Sequence, residues 1–241
     1  MDMNSLGESQ EVIHLFETME TNRLYVEKAR MDEIAAHIDE LLAAFHQMEK
    51  ELADLRQQAG GAGTPILNEG AEAVQEAKTL VERVKDTIRD TAGKAAKLSR
   101  DGLVSALHAA HIPGLLEKVQ AVLHDTELRM RKSAHKAEII SDEIHAANVH
   151  LGNIGRTARG KPVQQHLPVE SKGALAIVRA GFLGLASTFE RLGGATARLR
   201  ERIPDMDRAA PQGRGSVREK MQSMKQRNIP GKEWQAMEAE I

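Results

Sequence analysis

The spacing of aliphatic residues constrains the fold more than any other feature of this chain. Apolar positions recur at alternating intervals of three and four residues in four segments: Met31–Leu55, Leu67–Leu98, Leu116–Ile154 and Leu175–Ile203. An average interval of 3.5 residues keeps one stripe of a helix against a neighbouring helix, and no stretch alternates as a strand does. These four heptad seams predict an all-α protein of long amphipathic helices.

The side chains within the seams indicate how the helices associate. Small or polar residues such as Gly70, Ala77, Thr126 and Ser133 interrupt the larger aliphatic ones, and the chain holds only four Phe, one Tyr and one Trp. Such a composition makes a two-stranded coiled coil weak, but it suits several helices that share one core. We therefore expect an antiparallel bundle or coiled-coil hairpins rather than a long parallel dimer.

Glycine and proline divide the chain into parts. The predicted parts are an acidic helical segment over 1–58, a Gly-rich linker over 59–65, a helical hairpin over 66–155 that turns at Pro113, a loop over 156–167, a basic long helix over 168–203 and a flexible tail over 204–241 with a short inducible helix. The linker leaves two arrangements open, because the first segment can either pack on the bundle or swing free.

Charge is distributed unevenly along the chain. Residues 1–58 carry 5 basic and 13 acidic side chains, a net charge of −8, whereas residues 156–232 carry 16 basic and 6 acidic, a net charge of +10. This asymmetry indicates an anionic partner or pairing of opposite ends. The chain has no cysteine, its first residues are polar, and its most apolar stretch (174–189) is too short to span a bilayer. We expect a soluble, cytoplasmic protein.

The ten histidines do not form a recognisable catalytic or metal site. The heptad register places His46, His124 and His135 on outer faces and His37 at the edge of a seam. Metal ligands and catalytic groups instead converge in concave pockets. We expect a non-enzymatic protein with no catalytic residue, cofactor, metal ligand or small-molecule substrate.

The basic C-terminal third contains the candidate binding residues. A row of cations can neutralise phosphates, although cations are also favoured at a helix C-terminus by the helix dipole. The candidate anion-binding or nucleic-acid-binding residues are Arg191, Arg198, Arg200, Arg202, Arg214, Arg218, Lys220, Lys225 and Arg227. The candidate partner-docking residues in the tail are Val217, Met221, Met224 and Trp234.

Two short motifs and one longer pattern carry a resemblance. They are Asn153-Ile154-Gly155-Arg156 with Gly160-Lys161, Ser216-Val217-Arg218-Glu219-Lys220-Met221, and the apolar pattern from Glu11 to Ile38. In these the chain resembles a family of uncharacterised helical proteins carried by conjugative and mobilisable elements of gut bacteria. The resemblance implies a mobile-element context, but it implies no activity and no site residues.

Three functions follow as expectations. The first is a helical scaffold or adaptor of a mobile genetic element that docks protein partners, including other copies of itself, through its helices and C-terminal tail. The alternative is a nucleic-acid-binding accessory protein that uses the basic segment 191–232. The second alternative is a coiled-coil protein that associates with a membrane surface.

Overall fold

A computed structural model of the chain describes residues 5–165 and 173–202, without the side chains of residues 107 and 108. These ranges contain no β-strand. Their helices are α1 (Gln10–Thr21), α2 (Tyr25–Gln58), α3 (Thr64–Ala95), α4 (Arg100–Ala109), α5 (Ile112–Thr157) and α6 (Ala174–Arg202). The prediction of an all-α protein is confirmed. All six helices belong to one compact unit, Met1–Pro204. The tail, with its predicted inducible helix, lies outside the described residues.

The helix starts follow from local sequence signals. Ser9 caps α1, where its hydroxyl accepts a hydrogen bond from the Val12 amide at 3.4 Å. Gly63 precedes α3 with φ 71° and His111 precedes α5 with φ 51°. A proline lies in the first turn of both helices, where its missing N–H is not needed. The chain therefore reverses at residues before Pro113, and Pro113 itself is helical.

α2 and α3 run antiparallel and pack along their length. Lys85 Nζ lies 3.7 Å from Asp39, and Lys78 Nζ donates to Glu49 at 2.9 Å, so residue numbers rise along one helix as they fall along the other. α2 also packs against α6, where the rings of Phe45 and Phe189 meet with centroids 5.9 Å apart. The acidic first segment is thus part of the bundle in this structure and does not swing free.

α5 and α6 are also antiparallel. Arg131 donates to Glu190 at 2.9 Å, and Arg179 lies 3.6 Å from Glu138. α5 contacts α3 on its other side. The four long helices α2, α3, α5 and α6 therefore surround one core, each antiparallel to the neighbours that it packs against.

Apart from the half-buried Thr91 of the second seam, burial follows the predicted seams with two departures. Every described position of the first and fourth seams is buried. The second seam ends early, because α3 stops at Ala95 and Leu98 is 43% exposed. The third seam is buried as far as Ala137 and exposed from Ile140 onward. This second departure defines the candidate site.

Candidate functional site: the projecting end of α5

α5 extends beyond the helices that flank it. Its Lys136 pairs with Glu69 near the start of α3, and its Glu138 pairs with Arg179 near the start of α6. α3 and α6 begin about five residues beyond these pairs, at Thr64 and Ala174, so roughly four turns of α5 extend past them before the helix ends at Thr157. We call residues 140–157 the projecting end of α5; at 1.5 Å per residue it is roughly 25 Å long.

The projecting end carries a row of exposed apolar side chains. These residues continue the third seam, and we call them the α5 stripe: Ile140, Ile144, Ala147, Leu151 and Ile154. Their large members are 41%, 51%, 66% and 67% exposed, in chain order. A single exposed aliphatic residue is common on protein surfaces, but a row on one helix face marks an interaction surface. Among the described residues, the stripe is the longest run of seam positions that is exposed.

A returning segment of the chain covers a different side of the projecting end. The Asn153 side chain donates through Nδ2 to the carbonyl oxygen of Gln164 and accepts from the Gln164 amide, both at 2.7 Å. Arg156 Nε donates to the carbonyl oxygen of Pro162 at 2.8 Å. These bonds hold residues 162–164 beside the helix, and the α5 stripe stays exposed.

A shallow cleft of about 440 Å³ lies at the tip of the projecting end. The residues that line it are His150, Asn153, Ile154, Thr157 and Ala158. One imidazole without a lining carboxylate cannot form a catalytic triad, and it is a poor metal site. Across residues 5–165 and 173–202, no group of three His, Cys, Asp or Glu side chains is placed to hold a metal ion.

The structure describes four of the nine candidate anion-binding residues. Arg191, Arg198 and Arg202 are exposed, and their spacing of seven and four residues places them along one face of α6. Arg202 donates to Glu33 at 3.0 Å. Arg200 is half-buried. The remaining five residues lie in the tail, outside the described residues, as do the candidate docking residues Val217, Met221, Met224 and Trp234.

These arginines and the α5 stripe form separate surfaces. Arg202 at the end of α6 lies beside Glu33 near the start of α2, whereas the start of α6 lies beside Glu138 of α5. The length of α6, roughly 45 Å, therefore separates the arginine end from the projecting end of α5. The charge pattern of the sequence predicts the first surface, whereas the apolar spacing predicts burial for the second.

His37, which the heptad register places at the edge of a seam, is buried in the structure. Its side chain is 8% exposed, and its Nε2 lies 2.9 Å from the hydroxyl of Thr196. That hydroxyl donates to the Leu192 carbonyl oxygen, so His37 donates to it through a protonated Nε2. Burial lowers the pKa of His37, and the carboxylate of Glu40 opposes this effect. The neutral ring links α2 to α6.

The comparisons with known proteins identify one family. Residues 8–240 match the model of a family of unknown function (DUF6674). No curated protein and no solved structure matches the chain. Among the described helices, none is both long and apolar enough to cross a membrane. The expected membership of an uncharacterised family is confirmed, and its mobile-element part stays a prediction.

Proposed function

We propose that this chain, which belongs to the DUF6674 family of unknown function, is a non-enzymatic helical scaffold or adaptor protein. The observation that carries the proposal is the exposed α5 stripe. The bundle buries the first half of the third seam, and the same helix continues for two heptads with its apolar face in water. A partner helix that covers the stripe would complete the seam.

In this function the projecting end of α5, the rest of the bundle and the C-terminal tail have different roles. The projecting end of α5 binds protein through the stripe, and the rest of the unit is a rigid support for it. The C-terminal tail adds a second docking segment through Val217, Met221, Met224 and Trp234. A mobile-element context, which the motifs at Asn153–Arg156 and Ser216–Met221 imply by resemblance, belongs to the same proposal.

Affinity purification from the native host tests this function with two matched variants. Ile144→Asp introduces a charge on the stripe, whereas Ile139→Asp makes the same change on the same helix, about 140° around its axis. Ile144 and Ile139 are 51% and 49% exposed, so neither substitution disturbs the core. We expect the wild type and Ile139→Asp to retain the same host proteins, and Ile144→Asp to lose at least about nine tenths of them, because a buried unpaired charge weakens such interfaces by 10-fold or more.

The host proteins that each variant retains decide whether the adaptor function stands. Proteins other than this chain that depend on Ile144 support an adaptor. If Ile144→Asp retains the same proteins as the wild type, the projecting end is not their docking site and the proposal is wrong.

A nucleic-acid-binding accessory function is the second candidate, and the exposed row of Arg191, Arg198 and Arg202 on α6 favours it. Such binding weakens steeply with salt because phosphate contacts release counterions. Retention on immobilised DNA at low salt that is lost at high salt, and that falls in Arg191→Ala/Arg198→Ala, supports this candidate. Retention that does not depend on salt or on these arginines excludes it.

A further inference from the structure

We infer that the helix covering the α5 stripe is the same stripe of a second copy of this chain, paired antiparallel about an axis near Ala147. This inference rests on the proposed function only in taking the stripe as a protein-binding surface. Three features of the projecting end support it: the order of side-chain sizes, the placement of charge and the size of the surface.

Side-chain size along the stripe is nearly symmetric about its centre. Ile140 and Ile154 lie seven residues before and after Ala147, and Ile144 and Leu151 lie three before and four after it. An antiparallel second copy therefore places Ile140 opposite Ile154, and Ile144 within one residue of the position opposite Leu151. The two Ala147 side chains meet at the axis, where their small size lets the helices approach closely. Each of the contacts away from the axis occurs twice, since residue i of one copy meets residue j of the other and residue j meets residue i, as a two-fold interface requires.

Charge beside the stripe also favours an antiparallel pair. Glu143 and His150 are both exposed, lie seven residues apart and flank the stripe on the same side. In the antiparallel arrangement each Glu143 lies next to His150 of the second copy, on both halves of the interface. Parallel pairing places Glu143 next to Asn148 of the second copy instead. The antiparallel arrangement thus places a carboxylate beside an imidazole twice, whereas the parallel arrangement does not.

The same features argue against a membrane as the occupant. Helices that lie in a lipid surface carry Lys and Arg along their polar face. Beside the stripe the projecting end has the exposed carboxylate of Glu143 and no Lys or Arg, and its one arginine, Arg156, lies on the opposite side of the helix. Anionic lipid would meet a carboxylate at this face, whereas a second copy meets complementary groups.

The surface is small, which sets the expected affinity. Two heptads of one helix face bury less area than a standard interface of about 800 Å² per partner. We therefore expect a reversible dimer with a dissociation constant on the order of 10 µM. In that dimer the two bundles extend in opposite directions from the paired helices, so the scaffold presents two copies of every other surface.

Sedimentation velocity of the full chain tests the pairing. Between about 1 and about 100 µM, the wild type and Ile139→Asp should pass from monomer to dimer, because the expected dissociation constant lies between these concentrations. Ile144→Asp should remain monomeric across the range, and circular dichroism should show the same helix content for all three proteins. A wild type that stays monomeric, or a dimer that survives Ile144→Asp, overturns the inference.

Disulfide cross-linking tests the orientation, because the natural chain has no cysteine. Ala147→Cys should form an inter-chain disulfide on mild oxidation, since the two residues meet at the axis within the 4.4–6.8 Å Cα separation, approximately, that a disulfide spans. Ile154→Cys should not, because its counterpart lies roughly 20 Å along the paired helices. Cross-linking of both variants, or of neither, contradicts antiparallel pairing at Ala147.

Flotation with phosphatidylcholine–phosphatidylserine vesicles separates this inference from a lipid-binding role. Co-flotation of the wild type that is lost in Ile144→Asp identifies lipid as the occupant and overturns the inference. The outcomes also separate it from the proposed function. If the dimer is absent and host proteins still depend on Ile144, the adaptor function stands and self-pairing is wrong. If the dimer forms and no other host protein depends on Ile144, the reverse holds.

Discussion

Gly70 of α3 faces the ring of Phe182, a residue of α6. A Cβ at this position would overlap the ring, so the glycine leaves the space that the Phe182 ring occupies. Gly184 lies on the exposed face of the same α6, where a Cβ would meet no atom within 4 Å. A side chain at position 70 would therefore clash with a core residue, whereas a side chain at position 184 would clash with nothing.

We predict that Gly70→Ala lowers the free energy of unfolding by about 1–3 kcal/mol, because the ring of Phe182 must shift out of a packed core. Gly184→Ala should raise that free energy by up to about 1 kcal/mol, because alanine favours a helix more than glycine does. Urea denaturation measures both changes. Equal effects of the two substitutions would show that close packing at Gly70 does not limit the fold.

His37 predicts a dependence of stability on pH. Burial lowers the pKa of His37 in the folded chain, whereas the unfolded chain takes up a proton near pH 6.5. The unfolded state therefore binds more protons below about pH 6.5, and the free energy of unfolding falls as pH decreases through that value toward the folded pKa. Above about pH 7.5, this histidine contributes no pH dependence.

The measurement compares the wild type with His37→Gln between pH 8 and pH 5.5, because glutamine keeps a donor for Thr196 but does not titrate. We expect the variant to lose less stability than the wild type over this range. Identical pH profiles would contradict the assignment of this loss to His37.

At the scale of elements, one carboxylate anchors the N-terminal segment to α2. Asp39 accepts from the backbone amide of Leu6 at 2.8 Å and from the hydroxyl of Ser5 at 2.6 Å, and Lys85 of α3 lies 3.7 Å away. Leu6 beside it is fully buried. Asp39 therefore ties the start of α1 to two helices of the bundle.

We predict that Asp39→Asn lowers the free energy of unfolding by about 2 kcal/mol, because it removes charge-assisted hydrogen bonds to backbone amides. Hydrogen exchange at the Leu6 amide should become faster, while exchange in α5 should stay unchanged. Asp54→Asn is the matched control, since Asp54 is an exposed residue of the same helix. Equal effects of both variants would show that Asp39 does not anchor the segment.

At the scale of the whole molecule, all six described helices belong to one compact unit, Met1–Pro204. We predict that deletion of 205–241 changes the melting temperature by less than about 3 °C, because the buried seams lie within this unit. Differential scanning calorimetry checks this. A loss of 10 °C or so, equivalent to a few kcal/mol, would show that the tail contributes to the fold.

Much of the helical architecture could be predicted from periodicity. The seams around Phe45 and Phe189 are buried as their spacing requires, and the turn signals at Gly63 and Pro113 lie at helix starts. The separation of α4 from α3 was missed, because Leu98 continues the apolar spacing past the point where α3 ends. The apolar spacing predicts which residues can be buried, but it does not predict the residue at which a helix ends.

The candidate site was missed for a related reason. Ile140 and Ile154 carry the same spacing as the buried Leu123, so the pattern predicts burial for all three. The lengths of the seams did indicate that one helix extends past the others, since the third seam is longer than the second and the fourth. That signal becomes evident once the register of α5 against Glu69 and Arg179 is known.

The amino-acid sequence by itself determined the helices and the face of each that avoids water, because helix periodicity is a local property of the chain. Only the tertiary structure decided which part of each face is covered, because coverage depends on where the neighbouring helices begin and in what register they pack. α5 extends beyond the helices that pack against it, so the apolar face of its last two heptads is exposed to water.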